Sequence, residues 1–440
     1  METFLIFAQL AVVLAMIFIG AKVGSIGLGI YGMVGVFVLV FCFGLEPGAI
    51  PVDVMLIIVS VITASSALQA AGGLDYMVNI AVKILKRHPN RITFFAPFVT
   101  WLFCFLAGTA HTCYALLPII SEIAYKEKVR PERPLSVATI AASLGITGSP
   151  VSAATAAILS SSMLGGAGIG FKEIMMVSVP SSLIAIFVAA LVQNFVGKPL
   201  EQDPEYQRRV REGLLEGAEH LAKEKDVHPR AKWSVLVFLF GVILIVIFGS
   251  IPSIRPHFRG EALNMNYIIE MLMMSIAALI LVVGKADVRA AVKGNVFASG
   301  MNAMVSIFGV AWMGSTFFLG NHDAIMGSIA GVFSAYPILF AIPLFVFSIM
   351  LFSQAATVKT LYPVGLALGI PPHLLLALFP AVNGYFFLPN YPTEVAAIGF
   401  DRTGTTQSGK YVIDHSFQLA GFITTFVSIG VGYLLTLLLF

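Results

Sequence analysis

The chain has 440 residues, 58% hydrophobic and 11% charged, against about 45–50% and about 25% in ordinary soluble domains. That balance excludes a soluble globular protein, and a formal net charge of +3 spread along the chain gives no footing for nucleic acid. The cysteines, Cys42, Cys104 and Cys113, lie in apolar runs and imply no disulfide framework.

Hydropathy predicts an all-α membrane protein with spans near 4–20, 26–45, 51–72, 134–164, 174–196, 233–250, 265–284, 295–319, 371–399 and 416–439. The first run lacks the basic flank of a signal peptide and reads as an uncleaved span. Scaffold spans occupy 1–91. Segment 92–125 is flanked by two basic runs, Lys83 to Arg91 and Lys126 to Arg133, so it leaves and re-enters on one face. It is too short for two complete spans of about 20 residues each, and its centre is polar, so it reads as a re-entrant hairpin. A broken helix over 134–164 and a closing helix over 174–196 follow. The apolar pattern stops over 197–232, where Arg208, Arg209, Arg211 and Glu212 mark a charged, partly helical cytoplasmic linker. The second half repeats the plan: scaffold spans in 233–319, a hairpin over 336–368 with uncharged flanks, a broken helix over 371–399 and a closing helix over 416–440.

Basic loops stay cytoplasmic. This puts Lys22, 83–91, 126–133, the linker, 285–293, Arg402 and Lys410 inside, and the loops at 46–50, 165–171, 320–335 and 369–373 outside. Arg255, Arg259 and Lys172 run against the rule. An odd number of crossings in the first half starts the second half on the opposite side, so 1–196 and 233–440 are predicted to be inverted repeats with both chain termini periplasmic.

Two polar phrases recur within the apolar pattern. Gly108-Thr-Ala-His-Thr112 precedes Pro118, and Ser353-Gln-Ala-Ala-Thr357 precedes Pro363 at the same spacing. Each is followed by a second interruption, Gly145 through Thr155 and Asn383 through Thr393. Matched breaks in two halves point to a transporter's binding site near the membrane midplane. Non-helical backbone there leaves amides unpaired, and half-helix N-termini suit a small anion bearing carboxylates. The candidate substrate-binding residues are Gly108, Thr109, His111, Thr112, Ser149, Ser152, Ser353, Gln354, Thr357, Asn383, Asn390 and Thr393. The alternative for any one hydroxyl is that it satisfies helix backbone. His111, Lys359 and Glu394 are the candidates for charge recognition or proton coupling. His111 reads equally as a neutral tip residue bonded to local backbone, Lys359 as a snorkelling side chain, and Glu394 as a partner of Arg402.

Gly27-Leu-Gly-Ile-Tyr-Gly32 matches a dinucleotide fingerprint but lies in a span with no preceding strand, so close helix packing accounts for it better. No metal-ligand spacing, cofactor motif or nucleophile–base pair is present, which speaks against an enzyme.

At these residues the chain resembles the Dcu family of anaerobic C4-dicarboxylate transporters. The phrases are Pro51-Val-Asp-Val-Met-Leu-Ile-Ile58, Ala71-Gly-Gly-Leu-Asp75, Ala107-Gly-Thr-Ala-His111, Val129-Arg-Pro-Glu-Arg-Pro134, Ser149-Pro-Val-Ser152, Ser353-Gln-Ala-Ala356 and Leu388 through Thr406. The resemblance spans the whole chain, departing at Lys359 and at Thr357-Val358. It implies a bacterial inner-membrane carrier that exchanges fumarate, malate or aspartate for succinate, with proton-coupled uptake as another mode. It further implies a lipid-embedded homodimer working as an elevator. A sodium- or proton-coupled symporter for another organic anion is the alternative within transport; a membrane receptor or intramembrane enzyme is the alternative outside it.

Overall fold

The computed structural model describes the chain except residues 1, 24–25, 51, 161–162, 216–225, 322, 325–330, 334, 352, 389–390 and 410–413. Asn390, Lys410 and the middle of the linker therefore lie outside the described residues.

The first half contains α1 (Glu2–Val23), α2 (Gly27–Phe41), α3 (Val52–Ala70), α4 (Gly73–Arg87), α5 (Ile92–Ala107), α6 (Leu117–Lys126), α7 (Glu132–Thr147), α8 (Ala153–Leu159) and α9 (Phe171–Gln193). The linker holds α10 (Pro204–Arg211). The second half contains α11 (Ala231–Ser250), α12 (Met265–Gly284), α13 (Val288–Lys293), α14 (Asn295–Gly320), α15 (Ala341–Leu351), α16 (Gln354–Ala367), α17 (Pro372–Ala377), α18 (Pro392–Phe400) and α19 (Gln418–Leu439). Six described helices are long and apolar enough to cross a membrane, or up to eight when each bent pair counts as one span.

Two predicted boundaries are corrected. The span expected over 51–72 does not end in a loop: α3 bends by 72° into α4, because Gly72 sits at φ 73, a conformation only glycine takes at no steric cost. The first part of the basic run expected to be loop, Lys83 to Arg87, belongs to α4, whose Met77, Val78, Ala81, Val82 and Leu85 are buried while Lys83, Lys86 and Arg87 are exposed. Those apolar residues recur at helical spacing and form one buried stripe. The all-α expectation holds except for a two-residue antiparallel pair, His257–Phe258 with Glu261–Ala262. Arg259 and Gly260 turn that pair with φ 55 and 86, the positive values a tight hairpin requires.

Arg255, which ran against the charge rule, caps α11. Its Nε donates to Phe248 O at 2.7 Å and Nη2 to Gly249 O at 3.2 Å, satisfying carbonyls that a helix end leaves open.

The packing is pairwise. Helix α1 packs on α2 and α11 on α12; α2 packs on α14 and α12 on α3. The α2–α14 crossing absorbs the false fingerprint, since a Cβ on Gly32 would lie 2.5 Å from Gly309 C and one on Gly309 would meet Gly29 backbone. Small residues permit such approach. Elsewhere α5 packs on α7, α15 on the 3-10 segment Phe379–Phe387, α8 on α16, α18 on α6, and α9 on α19.

At the linker end a buried ionic cluster ties distant segments together. Arg130 Nε lies 2.5 Å from Glu132 Oε2, and Arg130 Nη1 lies 2.6 Å from Asp203 Oδ2. Burial opposes the guanidinium charge, but the Glu132 and Asp203 carboxylates outweigh it and push the Arg130 pKa up. Ser416 Oγ donates to Glu132 Oε1 at 2.7 Å, and the Glu132 amide donates to Thr405 Oγ1 at 3.2 Å. Thr405 Oγ1 in turn donates to Asp401 Oδ2 at 2.8 Å. The cluster joins the α6–α7 loop, the start of the linker and the α18–α19 loop.

Candidate functional site

Each interruption has a local cause. Helix α5 ends at Gly108, held at φ 68, and a Cβ there would lie 2.5 Å from Val151 O. The first tip therefore needs glycine twice over, for its left-handed backbone and for its contact with the first break. After the tip the chain makes a 3-10 turn, Ala110–Ala115, before α6. Helix α7 stops at Thr147 because Pro150 offers no amide and disfavours helix in the residue before it. Ser152 then caps α8 by accepting from Thr155 N at 3.1 Å. In the second half Ser353 caps α16, accepting from Ala356 N at 3.2 Å. Pro392 opens α18 at a position where proline's missing amide costs nothing. The pair Pro372–Phe387 and Pro392–Phe400 is bent by 56°.

A buried polar network joins these interruptions. Gln354 Nε2, with two hydrogens to donate, has three acceptors within reach: Ser143 O at 2.8 Å, Tyr385 OH at 3.1 Å and Asn383 Oδ1. Tyr385 OH donates to Asn383 Oδ1 at 3.1 Å, and Asn383 Nδ2 donates to Thr147 Oγ1 at 3.0 Å. Gln354 begins α16 at the second tip, Asn383 and Tyr385 lie in the second broken helix, and Ser143 and Thr147 lie in the last turns before the first break. Three of the four interruptions thus meet in one cluster. Gln354 Oε1, Thr393 Oγ1 and Glu394 Oε2 are enclosed and have no hydrogen-bond partner. Buried polar atoms are ordinarily bonded, so such atoms call for an explanation.

The fourth interruption, the first tip, connects through the first break. Ser149 Oγ donates to Phe105 O in the last turn of α5 at 2.6 Å and accepts from Val151 N at 3.3 Å. Ser152 Oγ lies 3.0 Å from Thr155 Oγ1. The second half has a counterpart: Ser348 Oγ, on the arm leading to the second tip, accepts from Gly384 N in the second break at 2.8 Å.

Of the residues expected from sequence, Gln354 and Asn383 come together directly, and Gly108, Ser149 and Ser152 line the adjoining break. The matched Thr112 and Thr357 fall on unlike backbone. Thr112 Oγ1 donates to Thr109 O at 3.3 Å around the 3-10 turn, whereas Thr357 Oγ1 donates to Ser353 O at 2.8 Å within a helix. Thr109 is half-buried beside Gly108. Lys359 Nζ lies 3.5 Å from Ser160 Oγ, beyond the end of α8. Thr393 and Glu394 are each 1% exposed in the first turn of α18. His111 is in the 3-10 turn, and its side chain lies outside what the structure describes. Sequence reasoning missed Ser143, Thr147 and Tyr385; the signal for Thr147 was its place directly before Gly-Ser-Pro.

Neutral amides and hydroxyls dominate this centre, with helix N-termini beginning at its breaks. Such a set can hydrogen-bond a carboxylate and release it, without covalent chemistry. Among the described residues no group of three His, Cys, Asp or Glu could hold a metal ion.

Apolar spans enclosing broken helices that meet in a buried polar centre define a multi-pass membrane protein of the transporter class. A family model described as an anaerobic C4-dicarboxylate membrane transporter matches residues 5–440, and the chain belongs to that family. It is 40% identical over 437 residues to the anaerobic C4-dicarboxylate transporter DcuB of Escherichia coli O157:H7, covering 97% of each chain. It is 40% identical over 430 residues to the C4-dicarboxylate transporter DcuA of Wolinella succinogenes, covering 97% of this chain and 98% of that one. To the C4-dicarboxylate transporter DcuA of Escherichia coli K12 it is 42% identical over 431 residues. Membership makes the chain a membrane transporter rather than an enzyme.

Proposed function

We propose that this protein carries C4-dicarboxylates across a bacterial inner membrane, exchanging fumarate, malate or aspartate for succinate, with proton-coupled uptake as a second mode. The observation that carries the proposal is the Gln354–Asn383–Thr147–Ser143–Tyr385 network, which gathers one tip and both helix breaks into a buried neutral cluster. The substrate carboxylates are to be held between this cluster and the first tip. Lys359 and His111 are the candidate cations for the substrate's charge.

The packing supports an inverted repeat of 1–196 and 233–440 about the linker 197–232. Exchanging the halves turns α1–α2 into α11–α12, α2–α14 into α12–α3, and α5–α7 into α15 with the second broken helix. The same exchange turns α8–α16 into α18–α6 and leaves α9–α19 paired with itself. In this reading 92–125 and 336–368 are re-entrant hairpins from opposite faces, and 134–164 and 371–399 are the broken helices. The helices 174–196 and 416–440 close the repeats, and both chain termini are periplasmic. The hairpins and broken helices move as an elevator against the scaffold spans of a homodimer embedded in lipid.

Counterflow tests the function. Purified protein in liposomes loaded with unlabelled succinate should take up labelled fumarate and leave it chemically unchanged. Binding without uptake would make the protein a receptor, conversion would make it an enzyme, and uptake of a different organic anion alone would move it to another substrate class.

A further inference from the structure

Glu394 is a carboxyl that the hydrogen-bonded centre does not use. It sits in the first turn of α18, 1% exposed, and its Oε2 is enclosed without a hydrogen-bond partner. The carboxyl meets the backbone of Tyr391, and the Tyr385 and Tyr391 side chains are near enough to interact with it electrostatically. Among the described residues no lysine, arginine or histidine forms an ion pair with it. An ionised carboxylate in such a place costs far more than the neutral acid.

The elements packed against α18 are α6, α7 and the 3-10 turn of the first tip. Their titratable groups are His111, Cys113 and Tyr114 in the turn, Glu122, Tyr125 and Lys126 on α6, and Glu132 and Arg133 at the start of α7; Tyr385 and Tyr391 precede Glu394 in its own segment. The lysine and arginine among them are committed: Lys126 lies 2.7 Å from Glu122, and Arg133 donates to Val196 O at 2.9 Å. Tyr385 and Tyr391 stack at 4.3 Å between the network and α18. Glu394 therefore lies where the second break meets the first tip, beside the polar cluster but outside its hydrogen bonds.

We propose that Glu394 is the group that binds and releases the proton coupled to net dicarboxylate uptake, an inference that rests on the transport reading above. Facing outward, the carboxylate takes a proton from the periplasmic solution and crosses with substrate as the neutral acid. Facing inward, it gives that proton to the cytoplasm. One O–H bond forms and later breaks, and nothing else changes. In one-for-one exchange the proton travels both ways and cancels, so exchange does not depend on titration at this site.

The test uses full-length protein in proteoliposomes, with the membrane potential clamped at zero and the outside more acidic by one unit. Each coupled proton then supports up to about tenfold accumulation of labelled succinate. Wild type should accumulate succinate in proportion to the pH difference. Glu394→Gln should keep measurable exchange but accumulate nothing against the gradient, and Glu394→Asp should restore accumulation. Accumulation by Glu394→Gln equal to wild type overturns the proposal, as does a loss of accumulation in His111→Gln but not in Glu394→Gln. Loss of exchange in both Glu394 variants assigns the residue a structural role and overturns it too. A wild type that exchanges but ignores pH overturns the coupling alone, whereas a wild type that exchanges no dicarboxylate removes the transport reading itself.

Discussion

Replacing Gln354 by leucine should slow dicarboxylate exchange by about ten- to a hundredfold, the worth of roughly 1.5–3 kcal/mol in a hydrogen bond to a charged group. The side chain reaches three partners on three segments, Ser143 O, Asn383 Oδ1 and Tyr385 OH. Leucine fills similar volume but leaves all three acceptors without this donor, and the enclosed Oε1 that faces no partner in the protein is lost. Thr357→Val is the informative comparison, because the Thr357 hydroxyl bonds its own helix at Ser353 O, 2.8 Å away. Its loss should change exchange by less than about threefold, since the net hydrogen bond lost, about 0.5–1.5 kcal/mol, lies within the helix and is taken from stability rather than from substrate binding. Counterflow at matched protein per liposome measures both. Equal small effects at the two positions would mean that the network is only a packing device.

Arg130→Met should lower the thermal midpoint of the purified protein far more than any exposed charge change. Breaking a buried ion pair by removing one partner costs about 3–5 kcal/mol, because the remaining charge is left buried and uncompensated. Here two carboxylates lose their cation, Glu132 and Asp203, and Glu132 also anchors Ser416. The exposed pair Lys128–Glu201, 2.7 Å apart, is the control. Lys128→Met should shift the midpoint little, as surface pairs contribute about 0–1 kcal/mol. Thermal unfolding followed by tryptophan fluorescence compares the two. A similar small shift in both would show that the cluster joining the linker to the α6–α7 and α18–α19 loops does not hold them together.

Much of the fold was legible because membrane spans announce themselves by hydropathy and their interruptions by glycine, proline and hydroxyl residues. Gly108, Gly148 to Ser152, Ser353 and Asn383 all fall where the backbone leaves regular helix. Helix α4 was hidden because Lys83, Lys86 and Arg87 read as loop charge, although Met77, Val78, Ala81, Val82 and Leu85 already carried a helical period. The shared Thr-to-Pro spacing misled in a different way. It predicted equivalent places for Thr112 and Thr357, but the first tip interposes a 3-10 turn while the second enters helix α16 at once.

At the site, sequence marked the breaks themselves but picked out only some of their residues, passing over Thr147 and Tyr385 within them and Ser143 just before the first. Ser143 contributes a backbone carbonyl, which no residue type signals, and Thr147 was marked only by its place directly before Gly-Ser-Pro. Tyr385 is embedded in an aromatic run, and only the fold turns its hydroxyl toward Asn383 and Gln354. Glu132 was visible as a charge, but its partner Ser416 lies across the chain; Asp401 instead accepts locally, from the amides of Thr403 and Thr406, 2.9 and 2.6 Å away.

The central claim is that two halves of opposite orientation each send a hairpin into the membrane and close on one site. Accessibility labelling of single cysteines in a background without Cys42, Cys104 and Cys113 tests this most directly. His88, Lys128, Tyr336 and Ala367 are exposed positions on the two pairs of flanks. Cysteines replacing His88 and Lys128 should both label from the cytoplasmic face alone, and those replacing Tyr336 and Ala367 both from the periplasmic face alone. Labelling of His88→Cys and Lys128→Cys from opposite faces would make 92–125 an ordinary span and contradict the inverted repeat on which the shared site depends.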